Sequence, residues 1–293
     1  MITACVFPGQ GSQHSGMAAD FVQHSLTAPL FEQADDILGF HLTGLMLNGD
    51  EETLKRTENA QPALLLAGVA AFTYCQNTAV ETQPTYLAGH SVGEYTAACV
   101  AGCLSFSEAL KLVRLRGEVM AQAPEGGMAA VLGAEDDKIK EICHQNTLYV
   151  ANDNAPGQVV VAGQKDALAA AWDDLAGAAK KVVALQVSGS FHTPYMQAAA
   201  DAVEAALSDI NIQVPDVPLI LNADASEART LAAVQAGLVR QITQTVRWRE
   251  VMAFMRAQGV EKIYECGAGK VLTGLARRCD KAFICEAITN TNL

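Results

Sequence analysis

The short apolar run Tyr86-Leu87-Ala88 passes directly into Gly89-His90-Ser91-Val92-Gly93 and then into a helical pattern over Glu94–Val100. A G-x-S-x-G between a strand and a helix demands a sharp turn at the end of a sheet strand, with the serine lifted out of the sheet. The glycines permit the turn and the close packing around it. The helix start behind Ser91 offers unpaired N–H groups and the positive end of a dipole. The N–H of Val92, one residue past the serine, is therefore a natural donor to an oxyanion.

The rest of the chain is consistent with a sheet of this kind. Ile2–Phe7 reads as a strand ended by Pro8 and the Gly9-Gln10-Gly11 loop. Helical patterns follow to Leu38 and again over Glu51–Tyr74, where Pro62 can open or kink the helix. Another helix is expected over Ser107–Gln122, with Ser107 as N-cap. Residues 124–188 change rhythm: strand Met128–Leu132, helix Asp136–Asn146, strands Tyr149–Asn152 and Val159–Ala162, helix Asp166–Leu175, strand Lys181–Val187. That β-α-β-β-α-β order is the order of a ferredoxin-like unit. Helix Thr193–Leu207, strand Leu219–Asn222, helices Leu231–Thr243 and Trp248–Ala257, strand Lys262–Cys266 and helix Val271–Arg278 complete the pattern. Alternating strands and helices imply an α/β fold with a mostly parallel sheet covered on both faces. The expected organisation is a catalytic domain from residues 1–123 and 189–293, with residues 124–188 inserted as a ferredoxin-like subdomain.

Composition narrows the setting. Half of the 293 residues are hydrophobic, enough for a large core, and disorder is expected only at Thr289–Leu293. No uncharged apolar stretch is long enough to span a bilayer, and the start of the chain reads as a strand and not as a signal peptide. The expectation is a cytoplasmic protein. Eight cysteines without a C-x-x-C pair fit free, buried, reduced thiols, and Cys99 with Cys103 lacks the histidines of a zinc site. A net charge of −12 argues against nucleic-acid or anionic-membrane partners. Arg247–Lys281 runs against this trend with a local +4, a basic stretch suited to an acidic partner or to a solvated helix surface.

A nucleophilic serine needs a base. Among six histidines, His192 has the most suggestive setting, on a loop after a strand and before a helix. Arg114 and Arg116, on the helix after the elbow, are candidates to bind a substrate carboxylate, and spacing does not choose between them. Gly267-Ala268-Gly269-Lys270 fails the phosphate-loop spacing and reads as a strand-to-helix turn.

Taken together, several motifs resemble the malonyl-CoA:acyl carrier protein transacylase family. They are Phe7-Pro8-Gly9-Gln10-Gly11-Ser12-Gln13, Gln61-Pro62-Ala63-Leu64, Gly89-His90-Ser91-Val92-Gly93-Glu94-Tyr95, Arg116-Gly117, Asn152 to Val160, Phe191-His192, and Gly267 to Leu272. They occur in the family's order across nearly the whole chain. The resemblance implies an α/β-hydrolase-like domain with an inserted ferredoxin-like subdomain. It assigns Ser91 as nucleophile, His192 as base, the backbone N–H groups of Gln10 and Val92 as oxyanion hole, and Arg116 as the grip on the malonyl carboxylate. Phe191 is associated with malonyl over methylmalonyl. Asn152 and Asn154 fall near the substrate cleft and carry no assigned role.

The implied reaction moves malonyl from malonyl-CoA to the phosphopantetheine thiol of an acyl carrier protein, for fatty-acid or polyketide synthesis, by a monomer needing no metal or cofactor. In the family's fatty-acid enzymes the base is oriented by a carbonyl of a Pro-Val-Gln-Trp-like segment. Here that segment is Thr245-Val246-Arg247-Trp248, so Arg247 is a candidate for a base-orienting or substrate contact. The alternatives are an acyl hydrolase that clears carriers and a noncatalytic docking subunit.

Overall fold

The computed structural model describes residues 1–78 and 84–289, so residues 290–293 of the expected disordered tail lie outside the described residues. Ten strands form two sheets among the described residues: β1 (Ile2–Phe7), β2 (Tyr86–Gly89), β3 (Gly126–Leu132), β4 (Tyr149–Ala155), β5 (Gln158–Gln164), β6 (Lys181–Ala184), β7 (Leu219–Ile220), β8 (Glu227–Ala228), β9 (Val260–Cys266) and β10 (Ile284–Ile288). The larger sheet has the order β10-β9-β1-β2-β7-β8 and is parallel except for β8. β1 lies at its centre, and alternation along that strand divides the core. Cys5 and Phe7 join one cluster with helices Thr57–Asn77, Gly93–Val100 and Phe106–Ala121. Ala4 and Val6 join another with helices Trp248–Ala257 and Val271–Cys279. The two-residue side-chain period of a strand makes both faces of this sheet interior.

The smaller sheet is antiparallel, in the order β4-β5-β3-β6, with helices Asp136–Gln145, Lys165–Ala170 and Trp172–Ala178 on its own apolar cluster. Numbered within the unit, that order is 2-3-1-4, the arrangement of a split βαβ unit. The two lobes are tied together beside the elbow. Val246 lies parallel to Asn152, with Asp153 N–H donating to the Val246 carbonyl at 2.9 Å. Arg249 reaches across to Asp136 at 2.6 Å and Asp153 at 2.7 Å.

Several boundaries differ from expectation for local reasons. The cap of helix Phe106–Ala121 is Ser105, whose side chain accepts from Glu108 N–H while the Glu108 carboxylate accepts from Ser105 N–H. That reciprocal box outcompetes Ser107, which falls inside the first turn. The Glu51–Tyr74 pattern divides into helices Glu51–Lys55 and Thr57–Asn77. Pro62 lies within the second helix and removes the N–H due to the Glu58 carbonyl, which Arg114 takes up instead at 2.9 Å. The Asp166–Leu175 pattern breaks at Ala171, and Pro194–Met196 forms a 3₁₀ turn before helix Gln197–Ser208. β6 stops at Ala184 rather than Val187, and β7 stops at Ile220, releasing Asn222 for a role described below.

Candidate active site

The elbow has the geometry that its sequence demands. Ser91 has a φ of 54°, in the left-handed region. A Cβ on Gly89 would lie 1.8 Å from the Gly93 carbonyl oxygen, and one on Gly93 would lie 2.1 Å from the Phe7 carbonyl oxygen. Both contacts are with main chain and cannot be relieved by a side-chain rotation, so only glycine fits at either position.

His192 follows the loop after β6 and also has a positive φ, 60°. Its Nε2 lies 2.7 Å from Ser91 Oγ, and its Nδ1 meets the main-chain oxygen of Gln241. A carbonyl can only accept, so Nδ1 carries the proton and donates it, leaving the Nε2 lone pair facing the serine hydroxyl. The residue is 4% exposed, and burial together with the Arg116 charge pushes its pKa down to about 3. Neutral imidazole is the form that can accept a proton.

The orienting carbonyl therefore belongs to Gln241 and not to the Thr245–Trp248 segment. Gln241 lies in the last turn of helix Leu231–Thr243, where carbonyls have no intrahelical donor and are free to accept. Thr245–Trp248 is occupied elsewhere: Thr245 Oγ1 donates to the Val150 carbonyl and Val246 N–H to the Ala151 carbonyl, which ties the segment to β4. The Arg247 side chain pairs with Glu250 at 2.6 Å. It lines a separate cleft behind His192 and not the cavity that contains Ser91.

Positions two apart on a helix point apart, and this separates the two arginines. Arg114 turns outward to Glu118, the Glu58 carbonyl and Asn59, over the ring of Phe40. Arg116 turns inward and is 1% exposed. Its guanidinium donates to Gln61 Oε1 at 2.7 Å, to Gln241 Oε1 at 3.0 Å and to Ser91 Oγ at 3.4 Å, and it stacks over Tyr95. Both amide acceptors are neutral. Among the described residues, no carboxylate lies within ion-pair distance of Arg116. The nearby Glu94 carboxyl is pushed by burial up to about 8 and so is uncharged at neutral pH. Burial also lowers the Arg116 pKa, but a guanidinium stays protonated in proteins. The result is a buried cation aimed at Ser91 and, among the described residues, not paired with a carboxylate.

Ser91, His192, Arg116, Gln10, Val92, Phe191 and Asn152 line one cavity of about 310 Å³. Among the described residues, the backbone N–H groups of Gln10 and Val92 are not taken up by hydrogen bonds. Phe191 is 5% exposed. Asn154 is not part of the lining; its Oδ1 instead pairs with His90 Nε2 at 2.8 Å and fixes that ring against Trp248.

Sequence reasoning overlooked Gln241 and Asn222 and gave Gln61 no role. Gln241 was findable as a polar residue on the apolar face of its helix, in line with Val234 and Leu238. Nothing local marks Asn222. Among the described residues no cysteine is in a disulfide; Cys99, Cys279 and Cys285 are half-buried and the other five are buried. Among the described residues no group of His, Cys, Asp or Glu is arranged to hold a metal, and no helix is long and apolar enough to cross a membrane. The basic stretch is narrower than its charge count implied. Arg247, Arg249, Arg256 and Lys262 pair with acids, whereas Lys270, Arg277, Arg278 and Lys281 are in no ion pair among the described residues.

Known proteins share this arrangement. Residues 4–273 match the acyl transferase domain family. The malonyl CoA-acyl carrier protein transacylase of Escherichia coli K12 is 40% identical, with 94% of this chain and 92% of that protein covered. Its counterpart in Bacillus subtilis is 37% identical, over 98% of this chain and 93% of that protein. The crystal structure of the acyl-carrier-protein-S-malonyltransferase of Bartonella henselae superposes with a TM-score of 0.95 at 38% identity, covering 99% of this chain and 96% of that one. A malonyl-transacylase in complex with a type II PKS acyl-carrier protein superposes with a TM-score of 0.96 at 38% identity, covering 99% and 97%. With its serine elbow, its histidine held by a main-chain carbonyl and its buried arginine, this chain belongs to the malonyl-CoA:acyl carrier protein transacylase family of acyl transferase domains.

Proposed function

We propose that the chain transfers malonyl from malonyl-CoA to the phosphopantetheine thiol of an acyl carrier protein through a malonyl ester on Ser91. The observation that carries this reading is the buried Arg116 guanidinium, without a carboxylate partner, 3.4 Å from Ser91 Oγ. A cation in that position favours an acyl group that brings its own carboxylate, because the planar fork donates to it bidentately.

The steps follow from the geometry. His192 Nε2 takes the proton of Ser91 as Oγ attacks the thioester carbonyl. The developing oxyanion is received by the backbone N–H groups of Gln10 and Val92, donors of a kind each worth about 10²–10³ in rate. The carbon–sulfur bond breaks, and the coenzyme A thiolate leaves with the proton held by His192. The malonyl ester remains on Ser91 with its carboxylate on Arg116. The carrier thiol then gives its proton to His192 and attacks the ester; the bond from the acyl carbon to Ser91 Oγ breaks, and His192 returns the proton to Oγ. Ester and thioester exchange without change of oxidation state. Phe191 crowds the acyl α-carbon and so favours malonyl over methylmalonyl.

The acidic carrier is met by basic residues of helix Val271–Cys279 that are in no ion pair among the described residues, Arg277 and Arg278, with Lys270 at its start. The deciding experiment is intact-protein mass spectrometry after mixing with malonyl-CoA, acetyl-CoA or methylmalonyl-CoA, followed by a chase with phosphopantetheinylated carrier. A malonyl adduct absent from Ser91→Ala and discharged onto the carrier is the expected result. An adduct that decays to free acid in the presence of carrier would make the chain a hydrolase, and no adduct from any donor would refute the reading.

A further inference from the structure

The left-handed backbone at Ser91 persists only where its surroundings over-determine it. Two side chains from distant parts of the chain hold it: Gln241 Nε2 donates to the Ser91 carbonyl at 2.9 Å, and Asn222 spans the turn from Gly89 to Ser91. Asn222, 131 residues beyond the serine, accepts from Ser91 N–H through Oδ1 at 2.8 Å. Its Nδ2 donates to the Gly89 carbonyl at 2.6 Å. The Asn222 main chain is held in turn: its N–H donates to Glu94 Oε2 at 2.6 Å, and its carbonyl accepts from Arg247 N–H at 3.0 Å. Glu94 stands on the helix that leaves the elbow, so elbow, strand end and helix form a closed ring of bonds. Asn222 and Glu94 are fully buried, and neither lines the cavity. A carboxamide supplies the acceptor and the donor on two separate atoms without depending on a protonation state, which suits this bridge.

We propose that Asn222, held by Glu94, is a positioning residue for the nucleophile: it pins the Ser91 main chain so that Oγ meets His192 Nε2 and the N–H of Val92 faces the cavity. The inference rests on the reading of Ser91 as the malonylated nucleophile. Neither residue touches substrate, so their contribution falls on the acylation step and not on binding. Burial raises the Glu94 carboxyl pKa, while the bond from the Asn222 N–H pulls it back down.

The test compares wild type with Asn222→Ala, Asn222→Asp and Glu94→Gln. The single-turnover rate of malonyl-serine formation is measured by rapid quench and mass spectrometry. Binding is measured separately with a non-transferable analogue of malonyl-CoA in which a methylene replaces the thioester sulfur. Small displacements of a reacting group cost about 10² in rate. Asn222→Ala is therefore expected to acylate about 10²-fold more slowly, with analogue affinity within about threefold of wild type. Asn222→Asp keeps the acceptor and, once its carboxyl is ionised at high pH, loses the donor, so there it falls between the two, and it carries the test should the alanine variant not fold. Glu94→Gln preserves an oxygen for the Asn222 N–H and stays within about threefold. Wild-type acylation in a folded Asn222 variant overturns the inference. So does an affinity loss that matches the rate loss, or a Glu94→Gln defect as large as that of Asn222→Ala. Failure of the wild type to form malonyl-serine would instead overturn the functional reading itself.

Discussion

Replacing Gln61 by glutamate tests whether the uncompensated charge of Arg116 is what selects the acyl group. The Gln61 Oε1 lies 2.7 Å from the guanidinium and is neutral. A glutamate there changes one atom, preserves the hydrogen bond and supplies the counter-ion that the site otherwise lacks. A malonyl carboxylate bound to Arg116 would then lie roughly 6 Å from a second negative charge. At an effective dielectric of about 20, that repulsion costs about 3 kcal/mol. Each 1.4 kcal/mol is about tenfold in kcat/KM, so malonyl-CoA turnover should fall by about 10²-fold. Acetyl-CoA has no carboxylate to repel and should change little or gain. The assay is the ratio of kcat/KM for malonyl-CoA to that for acetyl-CoA in Gln61→Glu and in Arg116→Ala, with melting temperatures to show that both variants are folded. Both ratios should collapse together. A Gln61→Glu ratio within about threefold of wild type would mean that the charge of Arg116 does not choose the substrate.

The pH profile should report the same charge. Arg116 helps hold the free His192 pKa near 3, and a bound malonyl carboxylate offsets that contribution, so the pKa rises in the complex. The acid limb of kcat should lie at higher pH than that of kcat/KM, and the separation should shrink in Arg116→Ala; coincident limbs in wild type would refute the coupling. Gly93→Ala puts a methyl 2.1 Å from the Phe7 carbonyl oxygen and should prevent folding, seen as loss of the cooperative thermal transition. Charge reversal at Arg277 and Arg278 should raise KM for the carrier, more at low salt than at high, and leave KM for malonyl-CoA unchanged; equal effects on both substrates would dismiss that docking face.

The legible part of this molecule was the part written in adjacent residues. Ser91 declared itself because strand, turn and helix follow one another within fifteen residues, Tyr86–Val100. The β-α-β-β-α-β order of the smaller unit was readable because each of its strands and helices carries its own period, whereas its 2-3-1-4 sheet order is set by pairings between distant strands. The edge strand β10 was not anticipated, because only Ile288 of its five residues is buried and no alternation marks it. His192 had a suggestive position, but its partner carbonyl lies 49 residues further on, in a helix end that no pattern connects to it. Spacing left Arg114 and Arg116 open and the resemblance implied Arg116; the physical distinction is the packing of one helix face against Gln61 and Gln241. Asn222 was invisible for the same reason: a polar residue just past a two-residue strand gives no sign that it closes on an elbow 131 positions earlier.

Ser91 and His192, the pair proposed to react, occupy backbone conformations that a side chain makes unfavourable, with φ of 54° and 60°. Such positions each oppose folding by about 1–3 kcal/mol. Glycine at either site would relieve that opposition while deleting the chemistry. The pair is thus a point at which thermodynamic fitness and catalytic fitness diverge, so selection for heat resistance alone should erode these two residues before it touches the surrounding core. A lineage that no longer needed transfer would be expected to drift toward a hardier, silent relative by single substitutions at the elbow.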